Sequence, residues 1–210
     1  MEIDRIPCII FSPTDIRPVN LYQGIDPAPG IYKDKGDYFV DMMVGIDSLK
    51  RVYVVEYLRA RIEVTEQANH IIEFYLKYKK APKRVTIETI AYQEALRSLV
   101  KDTMSEQGIY IPGLEKGVKP RLGKDSRHDK IVGIAKTGRL YIKESMEALR
   151  TELLTIHRTK RSPDCLDALW NCLYHSQHYS GEEIFDMEEQ GGYVVDIDDD
   201  TKDSGDWLTI

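Results

Sequence analysis

Cysteine is scarce in this chain. Three in 210 residues, Cys8, Cys165 and Cys172, give neither metal-ligand spacing nor a disulfide framework. A reducing compartment fits that usage. Long apolar runs are missing as well. No stretch approaches about 18 uninterrupted apolar residues, so no single run reads as a membrane-spanning helix. The start, Met1-Glu2-Ile3-Asp4-Arg5, lacks the basic opening and apolar centre of a secretion signal. No internal repeat appears. The glycine-containing "GLEKGVK" at 113–119 lacks the Gly-Lys-Ser/Thr ending of a phosphate-binding loop.

What is present suffices for one packed core. Hydrophobic residues make up 42% of the chain, and the length suits one domain with appendages. Charge is segregated. Eleven acids and one lysine lie in 182–206, a net −10, so the rest carries +4 of the total −6. A mildly basic body with an acidic tail suggests a body that meets a polyanion and a tail for interaction or solubility.

The chain divides into an irregular arm (1–18), a folded body (19–179) and an acidic, weakly ordered tail (180–210). Strand-like runs cover 19–25, 38–46 and 51–57, with short connections that predict an antiparallel meander. The period then changes. Ala68, Ile71, Ile72, Tyr75 and Leu76 recur at helical spacing, with Thr65 as the expected cap. A buried strand at 84–88, a helix at 93–106 and a fifth strand at 109–112 follow. Further helices are expected at 128–136 and 145–157, with "GRLYI" between them as a short strand. The last helix spans 163–177, with Pro163 in its first turn. Strands in a meander, then strands alternating with helices, predict an α/β fold: a mixed sheet of five strands or slightly more, flanked by helices.

Four acidic residues, at three places in the chain, stand out against that order. "YQGIDPAPG" at 22–30 ends a strand on Asp26, and Pro27, Pro29 and Gly30 then bend the chain away. Glu88 ends the fourth strand in "VTIETIAYQ". Asp164 and Asp167 are three apart on the last helix and share a face, with Leu166, Leu169, Trp170 and Leu173 as its apolar side. If the first and fourth strands run parallel side by side, Asp26 and Glu88 leave the sheet at one edge, where open α/β sheets bind ligands. Carboxylates so crowded call for a cation. Hard oxygen donors suit Mg²⁺ or Mn²⁺, and two such ions about 3.5–4 Å apart are a known arrangement for phosphodiester displacement.

The order of these elements resembles a ribonuclease-H-like nuclease. More narrowly, "GIDPAPG…GDYFV", "VTIETIAYQEAL", "KDSRHDKIVGI…GRLYI" and "SPDCLDALW" resemble the nuclease domain of tailed-bacteriophage large terminase subunits, over roughly 21–173. The resemblance implies a metal-dependent endonuclease that cuts concatemeric viral DNA during genome packaging in the host cytoplasm. Asp26, Glu88 and Asp164 would be catalytic metal ligands. Asp167 matches the last acid of the related Holliday-junction resolvases. Terminases often carry two adjacent acids here, whereas this chain has Pro163-Asp164, so the choice between Asp164 and Asp167 stays open. Asp37 matches a frequently acidic position and equally suits a turn. Implied partners are double-stranded DNA, a packaging ATPase domain, the portal and the small terminase, with no membrane. This chain carries no such ATPase sequence; it reads as a separated domain or as a nuclease working without the motor.

Six cations in "KGVKPRLGKDSRHDK", Lys116, Lys119, Arg121, Lys124, Arg127 and Lys130, form the expected DNA-binding loop. His128 is placed near the metals, His175 and His178 in solvent, and Cys165 and Cys172 in the apolar packing. Two other readings remain: a junction-resolving or repair nuclease of the same fold, and a non-catalytic scaffold for nucleic acid or assembly.

Overall fold

The computed structural model describes residues 19–29, 37–78, 82–88, 91–114, 118, 122–156, 163–176 and 207–208. Strands β1 (Val19–Asp26), β2 (Phe39–Asp47) and β3 (Val52–Ala60) form the antiparallel meander. Helix α1 (Val64–Leu76) leads to β4 (Arg84–Ile87), which lies parallel to β1. Then come α2 (Ala91–Gln107), α3 (Lys124–Lys136), β5 (Leu140–Lys143), α4 (Glu147–Thr155) and α5 (Asp164–Ser176). The sheet order is β4-β1-β2-β3-β5, with β5 parallel to β3. A two-residue strand, β6 (Trp207–Leu208), pairs antiparallel with the outer edge of β5. This is the expected α/β mixed sheet of five strands or slightly more, flanked by helices.

Alternation along the strands divides the core between two layers. Ile25 and Phe39 face α1 and α2, where Ile71, Ile72, Leu96 and Val100 close over them. Tyr22, Val40, Met42 and Val44 face the opposite layer, built from α3, α4 and α5. Ile25, Phe39, Ile71 and Met42 are fully buried. Each such side chain contributes about 1.5–3 kcal/mol relative to exposure. No helix among the described residues is long and apolar enough to cross a membrane.

Four local expectations are corrected. The segment 109–112 is not a strand. Gly108 and Gly113, at φ 66° and 100°, turn the chain on either side, and Pro112 has no N–H for a ladder. The segment still runs beside β4, through Val85 N–H to Pro112 O at 2.9 Å, and the fifth strand is "LYIK" instead. The helix expected at 128–136 begins at Lys124, after Gly123 in extended conformation, so half of the supposed basic loop is helical. Helix α1 is capped by Glu63 rather than Thr65, with the Glu66 carboxylate accepting the Glu63 N–H at 2.9 Å. Pro163 precedes α5, and its carbonyl accepts the N–H groups of Leu166 and Asp167 at 3.0 Å each. The expected arm (1–18) and most of the expected tail lie outside the described residues.

Candidate active site

The site begins with one register. Ile25 and Ile87 are partners in the parallel β1–β4 pair. Asp26 follows Ile25 and Glu88 follows Ile87, so both acids emerge at one sheet edge on neighbouring strands. Asp26 ends the row of β1 residues that faces α5, where Tyr22 packs and Gly24 meets the helix.

Helix α5 brings the other two acids, and the approach is close. A Cβ on Gly24 would overlap the backbone of Ala168 and Cys172, so only glycine lets α5 lie this near β1. Asn171 Nδ2 donates to Ile25 O at 2.8 Å and fixes the helix along the strand. Glu152 of α4 holds the first turn of α5 by accepting the N–H groups of Cys165 at 2.8 Å and Leu166 at 3.2 Å. Asp164 and Asp167, both buried, are thereby held toward Asp26.

The electrostatics record the convergence. Burial pushes the Asp26 carboxyl well above its ordinary range, and the charges of Asp167, Asp164 and Glu88 push it further, opposed by Lys124. Asp164 is also raised, by burial first and then by Asp37 and Asp167, although the Tyr38 N–H donates to Oδ2 at 3.2 Å and Arg59 Nη2 lies 3.7 Å away. Asp167 behaves oppositely. Burial raises it, but hydrogen bonds from His128 and Lys124 outweigh that and leave it below the usual range.

Helix α3 supplies those partners. Lys124 Nζ donates to Asp167 Oδ2 at 2.7 Å, and His128 Nε2 lies 3.3 Å from Oδ1. Buried Arg127 pairs with Glu88 and sits 3.9 Å from Asp167. Lys124 and Arg127 therefore face the acids rather than standing clear of them, and Lys130 lies 5.7 Å from the Trp170 ring centre. Lys116, Lys119 and Arg121 lie outside the described residues, as does His178; nothing is described of the His175 side chain. His128 is beside the acids, and Cys165 and Cys172 are buried. Asp37 is exposed and acts on Asp164 through its charge.

The donor set is hard carboxylate oxygen, two of whose members are shifted upward by crowding and burial. Such a set fits a divalent cation. Among the described residues, however, no three such side chains close into a ready metal-binding group. The cations of α3 occupy oxygens of Asp167 and Glu88, so an incoming ion would compete with them. Sequence reasoning placed the acids but missed Arg59, Glu152 and the inward turn of Arg127. Each depends on a contact made across the fold, and the only local hint was the start of α3.

Comparison with known proteins agrees with this architecture. The model of the terminase RNaseH-like domain family matches residues 23–175. The structure of the P22 large terminase nuclease domain superposes with a TM-score of 0.59 at 13% identity, covering 85% of this chain and 91% of that one. The large terminase from a thermophilic bacteriophage, solved in complex with ADP, gives 0.56 at 13% identity, over 86% of this chain and 44% of that one. No curated protein matches the chain.

Proposed function

The chain belongs to the terminase RNaseH-like domain family, and from that premise we propose that it is a metal-dependent endonuclease that cuts concatemeric viral DNA during genome packaging. The observation that carries the reading is the register that sets Asp26 beside Glu88, with Asp164 and Asp167 facing them from α5. Two acids at a sheet edge, two facing them from α5, and adjacent guanidinium and ammonium groups suit a phosphodiester, which needs both charge neutralisation and anchoring.

Asp26, Glu88, Asp164 and Asp167 are the residues that would hold Mg²⁺ or Mn²⁺, as two ions. Such a pair supplies an activated water and charge on the leaving oxygen. Asp26, whose carboxyl feels the charges of Asp167, Asp164 and Glu88, is the residue proposed to serve both ions. Asp167 orients the imidazole of His128 and holds Lys124. Lys124, more than half exposed at its side chain, is placed to turn from Asp167 toward a DNA phosphate. Arg127 is buried and keeps Glu88 in place. Double-stranded DNA is the proposed substrate; a packaging ATPase domain, portal and small terminase are the proposed partners.

The test is nicking of supercoiled plasmid in Mn²⁺ by the parent and by Asp26→Asn. The substitution keeps the shape and removes the charge. Cleavage is expected to fall by about 10²–10⁴ or more, with folding retained. Millimolar Mn²⁺ is expected to raise the melting temperature of the parent and not of the mutant. Near-parental nicking by Asp26→Asn sinks the reading. Preference for four-way junctions over linear duplex would move it to a junction-resolving nuclease, and metal-independent DNA binding without cutting would move it to a scaffold.

A further inference from the structure

Two arginines lie over the ring of Tyr38. The guanidinium carbon of Arg59 lies 3.5 Å from the ring centre, and that of Arg61 3.9 Å. Both guanidiniums are within cation–π range of this one ring. Arg59 also reaches the acids, with Nη2 3.7 Å from Asp164 and Nε 3.8 Å from Glu152.

The register places this stack beside the acids. Asp26 pairs with Val40, and Val40 pairs with Arg59, so the three form one row across β1, β2 and β3. Val40 packs in the α5 layer, which puts Arg59 on the same face as Asp26. A bulge produces that parity. Tyr53 and Val55 pack on the α1 side. Unbroken alternation would send 57, 59 and 61 to that side too. The register shift between Met43 and Val44 inserts one residue into β3, so Tyr57 packs in the α5 layer and Arg59 follows. Bulges beside functional sites re-aim side chains in this way.

The geometry points to a phosphate-binding stack: Tyr38, Arg59 and Arg61 receive the backbone of the DNA strand beside the acid cluster. The inference rests on the nuclease reading and names where its substrate is held. Guanidinium is planar and matches phosphate through paired N–H donors. The tyrosine ring fixes both guanidinium planes before DNA arrives, which reduces the ordering cost of binding. Such contacts carry no base information, as a cutter of many sequences requires.

The experiment uses the full chain and two labelled linear duplexes of unrelated sequence, without divalent metal, titrated with KCl. Arg61→Ala is expected to weaken both duplexes alike and to lower the slope of log affinity against log salt by about 0.9. Arg61→Lys should keep the slope, because the charge remains. Tyr38→Leu removes no charge, keeps the backbone N–H to Asp164, and is expected to weaken binding as well. The Mn²⁺-induced rise in melting temperature should be parental in Arg61→Ala, since the acids are untouched. Arg61→Gln retains the stem and reads the same slope if the alanine variant is unstable. If the parent nicks plasmid in Mn²⁺ while Arg61→Ala or Arg61→Gln keeps the parental slope and affinity, the stack is overturned and the nuclease reading stands. If the parent neither binds nor nicks DNA, both fall.

Discussion

The Glu152 carboxylate on α4 accepts the backbone N–H of Cys165 at 2.8 Å, so one helix caps the next. The same oxygen takes the Leu166 N–H at 3.2 Å. A negative group at a helix N-terminus is favourable, yet this helix carries two acids of its own in its first turn. Burial is the larger influence on Glu152 and, with the charge of Asp164, pushes its pKa up to about 7.

That shift has a sign. Between the ordinary value of 4.5 and about 7, the folded state holds the proton more tightly than the unfolded chain. The contribution of Glu152 to stability is therefore lost as pH rises through that window. Glu152→Gln keeps an acceptor for the α5 N–H groups and removes the titration. Its melting temperature should depend less steeply on pH between about 4.5 and 7 than that of the parent. Equal slopes in the two proteins would show that Glu152 does not titrate in this window.

Gly24 predicts a packing failure. A methyl group there meets the backbone of Ala168 and Cys172, which cannot rotate away. Gly24→Ala should destabilise by about 3 kcal/mol, the upper part of the usual overpacking range. Nicking should fall with it, because α5 carries Asp164 and Asp167. Chemical denaturation measures the first effect. A parental midpoint would mean that α5 sits farther from β1 than described.

Arg127 and Glu88 form a buried pair. Removing one partner strands the other charge, at a cost of about 3–5 kcal/mol. Arg127→Ala should therefore lower the melting temperature sharply, while Arg127→Met combined with Glu88→Leu recovers most of the loss. The double variant should be stable and inactive. If Arg127→Ala instead melts like the parent and loses one salt-dependent DNA contact, Arg127 serves DNA rather than Glu88.

The acidic tail should be dispensable for cutting. Deleting 182–210 removes a charge of −10 that repels DNA, together with β6 on the β5 edge. Plasmid nicking should be unchanged or raised, with a small fall in melting temperature from the lost two-residue strand. A folded truncation that no longer nicks would assign the tail a part in the reaction.

The sequence by itself determined the elements and the acids. Strand-like runs placed β1 to β4, helical spacing placed α1 and α5, and turn residues after Asp26 marked a strand that stops on a carboxylate. These signals are local: a strand's alternation or a helix's stripe is written in consecutive residues. Some local signals misled. An apolar "IYIPG" looks like a strand, but the glycines beside it and its proline prevent a ladder. Lysines and arginines before His128 look like a loop, although Gly123 opens a helix there. What only the tertiary structure decided was which charges meet. Arg127 is one of six similar cations in the sequence, and α3 packing against α5 turns it inward to Glu88. Arg59 reaches the acid face because a bulge in β3 changes the parity of the strand. Glu152 becomes the cap of α5 because α4 packs against the start of that helix. Pairings of this kind depend on register and close approach between separate elements, which no periodicity within one element records.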